Sequence, residues 1–307
     1  MGGYTLTELG SIFVMQGFSG LSLFCVYLLM ALGLAIIFGQ MGVINMAHGE
    51  FLTMGAYTTV FTSKLAVEHF PALVGVYFPF AIVLGFLIAF GMGYLLEYLM
   101  IRHLYKRPLD SLLATWGVSL VLQQIFRSSF GAREVSATLP NWLLGSVKPT
   151  ESIDIPLNGL FMMALTLVLS LGVYIFLFRS RWGLKVRATT QNRVMSGSVG
   201  INTHKVDRMT FAIGCGIAGV AGAVFTTIAS TGPTTGSLYI VDTFLVVVFG
   251  GAASLVGTVA SAFSIAQAQS VLEFFLTSSM AKVLTLLTVI TVIMARPEGL
   301  FTIRVRK

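Results

Sequence analysis

FRSRWGLKVRATTQNRVMSGSVGINTHKVDRM, residues 178–209, is a polar, basic insert in an otherwise apolar chain. Arg179, Arg181, Lys185, Arg187, Arg193, Lys205 and Arg208 stand there against a single acid, Asp207. Long apolar runs flank the insert on both sides. Short loops rich in Lys and Arg stay on the cytoplasmic side of a membrane. The stretch therefore reads as a cytoplasmic loop, 179–208, within one transmembrane domain covering 1–307. A helical loop of that size between spans reads as a docking surface for a soluble partner.

Composition agrees. Of 307 residues, 56% are hydrophobic and only 10% are charged, against roughly 25% charged in a soluble domain. The net charge of +7 is segregated into three clusters: Arg102, Lys106 and Arg107; the insert; and the tail Arg296, Arg304, Arg306 and Lys307. Nucleic-acid binding needs an exposed basic face, and these clusters lie between or after spans, so no nucleic-acid partner is expected. The first Lys or Arg is Lys64, which leaves no charged leader for a cleavable signal. Cys25 and Cys215 lie in apolar runs and read as small buried hydrophobes, with no disulfide or metal site implied.

About 20 apolar residues cross the hydrocarbon core as a helix. Candidate spans fall near 18–39, 47–65, 77–100, 111–128, 157–178, 209–231, 240–258, 259–276 and 279–295. The fold expected is all-α, a polytopic bundle of eight or nine spans, with the N-terminus outside and the C-terminus cytoplasmic. Loop 129–156 has no basic excess and falls outside. Gly214, Ala218 and Gly222, and likewise Ala253, Gly257 and Ser261, recur every four residues, as in helix seams where backbones approach closely.

Two stretches interrupt plain helices: FGQMGVINMAHGEF (38–51) and VFGGAASLVGT (248–258). Glycine-broken apolar segments point to substrate passages, which makes Gly250 and Gly251 pathway candidates. Asn45, His48 and Glu50 cluster at the start of the second span. They read either as a polar collar on the pathway or as helix-start groups, Asn45 or His48 capping and Glu50 meeting the helix dipole. Gln123 and Gln124, inside the fourth span, are either interhelical glue or contacts for a polar solute. Asp242 reads as a cap at the outer end of the seventh span. Glu97 and Arg127, near span ends, can snorkel to water. Zinc-protease, serine-hydrolase and phosphate-loop motifs are all missing, so an enzyme is not expected, and any ATP must be bound by another polypeptide.

The chain resembles the permeases of the branched-chain amino acid class of ABC importers, and within them the urea branch. Five stretches carry the resemblance: LGLAIIFGQMGVINMAHGEFLTMGAYT (32–58), LLATWGVSLVLQQIFRSSFGA (112–132), RATTQNRVMSGSVGI (187–201), GPTTGSLYIVDTFLVVVFGG (232–251) and RPEGLF (296–301). MGVINMAHGEF and ATWGVSLVLQQ lean toward urea, with a branched-chain amino acid or short amide as the alternative cargo. An ion-coupled transporter is a further rival, but the paired mid-span charges it needs are scarce. The resemblance implies a multi-pass inner-membrane subunit working by alternating access, with a second homologous permease, two cytoplasmic ATPases and a periplasmic binding protein. ATP and Mg would sit on those partners, and this chain would bind no cofactor. It also implies a coupling helix over 187–201, with Arg187, Ala188, Gln191, Asn192, Met195, Ser196, Gly200 and Ile201 facing an ATPase. Ser196-Gly197-Ser198 replaces the Ala-type residues usual there. Because Gly costs about 1 kcal/mol relative to Ala in a helix, a shortened helix is expected.

Overall fold

The computed structural model describes residues 6–105, 107–150, 153–251 and 254–295. Eleven α-helices follow one another among these residues: α1 (Leu6–Met41), α2 (His48–His69), α3 (Tyr77–Leu99), α4 (Pro108–Phe130), α5 (Leu157–Arg179), α6 (Arg181–Gln191), α7 (Arg193–Ser198), α8 (Thr203–Phe225), α9 (Thr235–Gly250), α10 (Leu255–Phe275) and α11 (Ser278–Ala295). Seven of them are long and apolar enough to cross a membrane, namely α1, α3, α4, α5, α8, α10 and α11. The Arg296–Phe301 stretch, the basic tail, Lys106 and Ala253 lie outside the described residues.

Every expected span coincides with a helix, but two differ in kind. α2 is too polar to count by hydropathy, since it carries His48, Glu50, Thr53, Thr58, Thr59 and Ser63. All six are buried, because α1, α3, α8 and α9 pack around the faces that carry them. α9 starts at Thr235, earlier than expected, and stops at Gly250. Gly251 then takes φ +92°, and Ser254 caps α10 by accepting from Gly257 N at 3.0 Å. The expected break near 248–258 is thus a turn between two helices.

The bundle closes around α8. Its Gly219 lies against Gly85 and Ala89 of α3, its Gly214 against Gly33 and Ile37 of α1, and its Gly222 on the Leu52 carbonyl of α2. A side chain at any of these positions would meet backbone. In lipid, where no hydrophobic drive separates helices from tails, such close approach supplies the packing energy. The glycine ladder expected on this helix is therefore a seam, and Cys215 and Cys25 are buried beside it.

One departure from all-α lies between α4 and α5. There strand β1 (Ser146–Thr150) pairs antiparallel with β2 (Ile153–Pro156), with Val147 opposite Ile155. The preceding segment is stitched to the bundle: Tyr77 Oη donates to Thr138 O (2.7 Å), Thr138 N to Ser63 Oγ (2.9 Å) and Trp142 Nε1 to Gly75 O (2.7 Å). Val135 and Thr231 form an isolated bridge to the α8–α9 connection.

Replacing Gly222 by Leu is expected to cost about 1–3 kcal/mol or more from overpacking, seen as loss of folded protein in detergent melting curves. Gly91→Ala, at a position with open space around it, should melt like the parent chain. Equal melting of both variants would show that the α2–α8 approach carries little.

Candidate functional site

Gly42 ends α1 with φ +65°, and residues 43–47 turn back into the bundle before α2 begins. The His48 ring reaches Met30 O at 3.1 Å, about three turns back from the end of α1. α2 therefore starts inside the bundle, not at its surface. Ala47 is the residue that precedes the helix, and no side chain caps it. The capping reading of Asn45 and His48 does not hold: both amide atoms of Asn45 are buried without a hydrogen-bond partner, as is His48 Nδ1.

Glu50 is fully buried. Its Oε1 accepts from Ser119 Oγ (2.9 Å) and from Gln123 Nε2 (2.8 Å), both on α4. Its Oε2 has no partner. Met46 N donates to Thr115 Oγ1 at 3.0 Å, and Tyr57 stacks on Phe130 with centroids 4.3 Å apart. These contacts form a polar seam between α2 and α4, and α4 packs on α2 and on little else. Of the expected pathway residues, Glu50 and Gln123 meet here, whereas the His48 ring lies against Met30 and Gly33 of α1. Gln124 faces away, into a shallow groove with Val121 and Ser128. Gly250 and Gly251 belong to the α9–α10 turn, where Gly250 lies against Gly257 and Ser261.

A second convergence escaped the sequence. α9 also begins inside the bundle, and its Gly236 meets Gly49 of α2 backbone to backbone, while Gly236 N donates to Thr53 Oγ1 at 2.8 Å. Two helix N-termini thus meet at one place. Asp242 lies within α9 and caps nothing. It pairs with Lys282 Nζ (2.8 Å) and accepts from Tyr27 Oη (3.0 Å). Tyr27, Tyr239, Gln269, Glu273 and Lys282 line a cavity of about 660 Å³ that also reaches Asn158. Nothing in the spacing of these residues along the chain brings them together.

The insert folds as two helices, not one. The break falls at Asn192 (φ −152°, ψ 99°), whose side chain caps α7 by accepting from Met195 N at 2.9 Å. The Ser-Gly-Ser run stays helical to Ser198, in a helix of 6 residues that is shorter than the 187–201 stretch, as its composition led one to expect. α7 ends as helices with a left-handed glycine do: Gly200 has φ +86° and Ile201 N donates to Ser196 O at 3.0 Å. Arg187 turns inward, donating to Leu177 O (3.0 Å) with its guanidinium over the Phe178 ring (5.3 Å), and so ties α6 to the end of α5. Ala188 O accepts from Asn192 N. Gln191 is exposed and Ser196 is buried. Large apolar side chains stand outward on α7 and at the residue that follows it, with Val194 82%, Met195 61% and Val199 69% exposed.

α7 is latched to the bundle by charge. Arg193 pairs with Asp207 of α8 and lies over the Tyr105 ring (5.0 Å). Tyr105 Oη donates to Glu97 Oε1 (2.6 Å), and Arg208 Nε donates to Glu97 Oε2 (2.9 Å). Burial and the Glu97 hydrogen bond push the Tyr105 phenol well above its ordinary value, so it remains a donor. Glu97 does not snorkel as expected. It is 0% exposed and joins α3, α8 and the α3–α4 connection.

The chain was compared with known proteins. The model of a family described as "Branched-chain amino acid transport system / permease component" matches residues 17–293. The high-affinity branched-chain amino acid permease protein LivH of Salmonella typhimurium is 28% identical, over 94% of this chain and 95% of its own. BraD of Pseudomonas aeruginosa, of the same description, is 25% identical over 94% and 95%. A probable LivH of Methanocaldococcus jannaschii is 24% identical over 96% and 94%. No solved structure matches. The relatives support the class expected from the motifs and give no support to its urea branch. A match over nearly the whole bundle makes this chain a multi-pass inner-membrane transporter subunit, with ATP hydrolysis left to partner ATPases, and places it in the branched-chain amino acid permease family of ABC importers.

Proposed function

We propose that this chain moves a small polar solute along the seam between α2 and α4, by alternating access driven through α7. The observation that carries the reading is Glu50, a buried carboxylate with one oxygen held by α4 and the other unpartnered. Such a group costs about 2.5–3.5 kcal/mol at a span centre, and proteins keep it where a cavity or a ligand meets it in another state. α4 is free to leave α2 because it packs on little else. A second homologous permease completes the passage, a binding protein delivers solute at the hairpin end, and two ATPases, carrying ATP and Mg, grip the α6–α7 end.

The cargo reading that the relatives favour is a branched-chain amino acid. The meeting of two helix N-termini at Gly49 and Gly236 supports it, because such ends favour a carboxylate. A second reading, urea, has its own support: the seam holds amides, hydroxyls and one carboxylate, with no Lys or Arg among its described residues.

Three outcomes are expected. With the binding protein present, leucine should stimulate ATP hydrolysis by the reconstituted importer and urea should not; the reverse pattern installs urea, and silence with both removes each. Glu50→Gln should cut uptake about tenfold, or about 1.4 kcal/mol, in complexes that still assemble; unchanged uptake would place the passage elsewhere. Val194→Asp with Met195→Asp should strip the ATPases on co-purification, since buried apolar anchors carry more than about 1 kcal/mol each. Retention of the ATPases would show that α7 is not the grip.

A further inference from the structure

A cavity of about 610 Å³ opens between the end of α3 and the start of α8, lined by Tyr94, Arg102, His103, His204, Lys205 and Arg208. None of its described lining residues is acidic. The nearest carboxylates are spoken for: Glu97 is buried on Arg208, and Asp207 is on Arg193. The remaining lining residue, Asn202, caps α8 by accepting from Lys205 N at 3.0 Å, so the positive end of that helix also faces this region.

The cations are arranged, not scattered. Arg208 lies over the rings of Tyr94 (5.1 Å) and Tyr98 (4.6 Å), and Arg102 lies over Tyr98 (4.6 Å). Arg208 also donates to Tyr94 Oη (3.2 Å) and to Glu97 (2.9 Å). A guanidinium has more N–H groups than these two bonds use, so donors are left over for an anion. Arg102 and Lys205 have no acidic partner among the described residues.

We propose that this cavity holds the phosphate headgroup of an anionic phospholipid. A phosphate ester is the chemistry that several convergent basic groups recognise, and basic pockets at the cytoplasmic ends of spans bind lipid headgroups. The choice of a lipid over a free phosphate rests on what adjoins the cavity. Leu99, Leu95, Met92, Ile88 and Leu84 run up α3 from it, all exposed, and give two acyl chains an apolar track. Tyr94 and Tyr98, apolar with polar tips, stand where aromatic residues mark a membrane interface. The assignment takes the α6–α7 end as cytoplasmic and does not depend on the cargo. It has a consequence for coupling, because the bound phosphate shares Arg208 with Glu97, and Glu97 holds Tyr105, on which Arg193 of α7 rests. Anionic lipid thus stiffens the joint between α7 and the bundle.

The test uses the full chain in its complex, released from nanodiscs of phosphatidylcholine mixed with phosphatidylglycerol of the same chains, with bound lipid counted by native mass spectrometry. The parent complex should retain phosphatidylglycerol preferentially. Arg102→Gln with Lys205→Gln should reduce that retention by about tenfold or more, since each basic group at an anionic surface contributes about fivefold. Arg208 is left intact in this variant to keep Glu97 paired. No preference in the parent complex would overturn the site without any variant, and unchanged retention in the double variant would move it elsewhere on the surface. Inorganic phosphate displacing the lipid at millimolar concentration would overturn the lipid assignment in favour of a soluble anion; failure to displace it supports the lipid.

Discussion

Close backbone approach along α8 is the constraint on which the other features rest. Gly214, Gly219 and Gly222 let α1, α3 and α2 come within backbone contact of one helix. That proximity encloses α2 from His48 to Val60 and shields its start from lipid. Only an enclosed helix can carry His48, Glu50 and a run of Thr and Ser through a membrane, since polar groups facing hydrocarbon cost several kcal/mol. The glycines and the polar helix are thus one device.

Enclosure also explains why two different polar systems coexist. At the start of α2 the groups are left partly unsatisfied: Asn45 has no partner and Glu50 has one oxygen idle. At the α3–α8 end, Glu97, Arg208 and Tyr105 are paired with one another, and Arg193 with Asp207. A satisfied buried network rigidifies what it joins, whereas a half-satisfied one is costly where it stands. The first arrangement suits a passage that opens, and the second suits a joint that must not.

Much of this was legible along the chain. The insert after Phe178, the nine helical segments, the glycine seam and the breaks near residues 42 and 251 follow from charge, hydropathy and small-residue spacing. Clustering of Asn45, His48 and Glu50 was visible as well, and Glu50 does stand in the first turn of α2, though neither Asn45 nor His48 caps it. What stayed hidden depends on pairs remote in sequence. Glu97 looked like a span-end residue because its partner, Arg208, lies in the basic insert and reads there as one more inside charge. Asp242 looked like a cap because Lys282 is one span away, and because α9 begins at Thr235, inside the bundle, where no polar loop announces it. Gly236 gave no signal at all, since its role is to meet Gly49.

The break at Asn192 bears on how motion would pass from α7 into the bundle. A helix of six residues has no stability of its own, because nucleation in water is unfavourable. α7 persists through its Asn192 cap at one end, its Gly200 turn at the other and the Arg193 pair with Asp207 between them. The cap and the turn are local to α7, and the ion pair ties it to α8, so α7 moves with α8. α6 is separately tied to α5 through Arg187 and Leu177. On the proposed coupling role, a push on Val194 and Met195 would divide at Asn192, one part going through Arg193 to α8 and the other through α6 to α5 and to α8, on which α6 also packs. A single unbroken helix over 187–201 would tilt both sides together. The split would let α5 and α8, which flank the insert, respond by different amounts to one displacement of α7 in the proposed cycle.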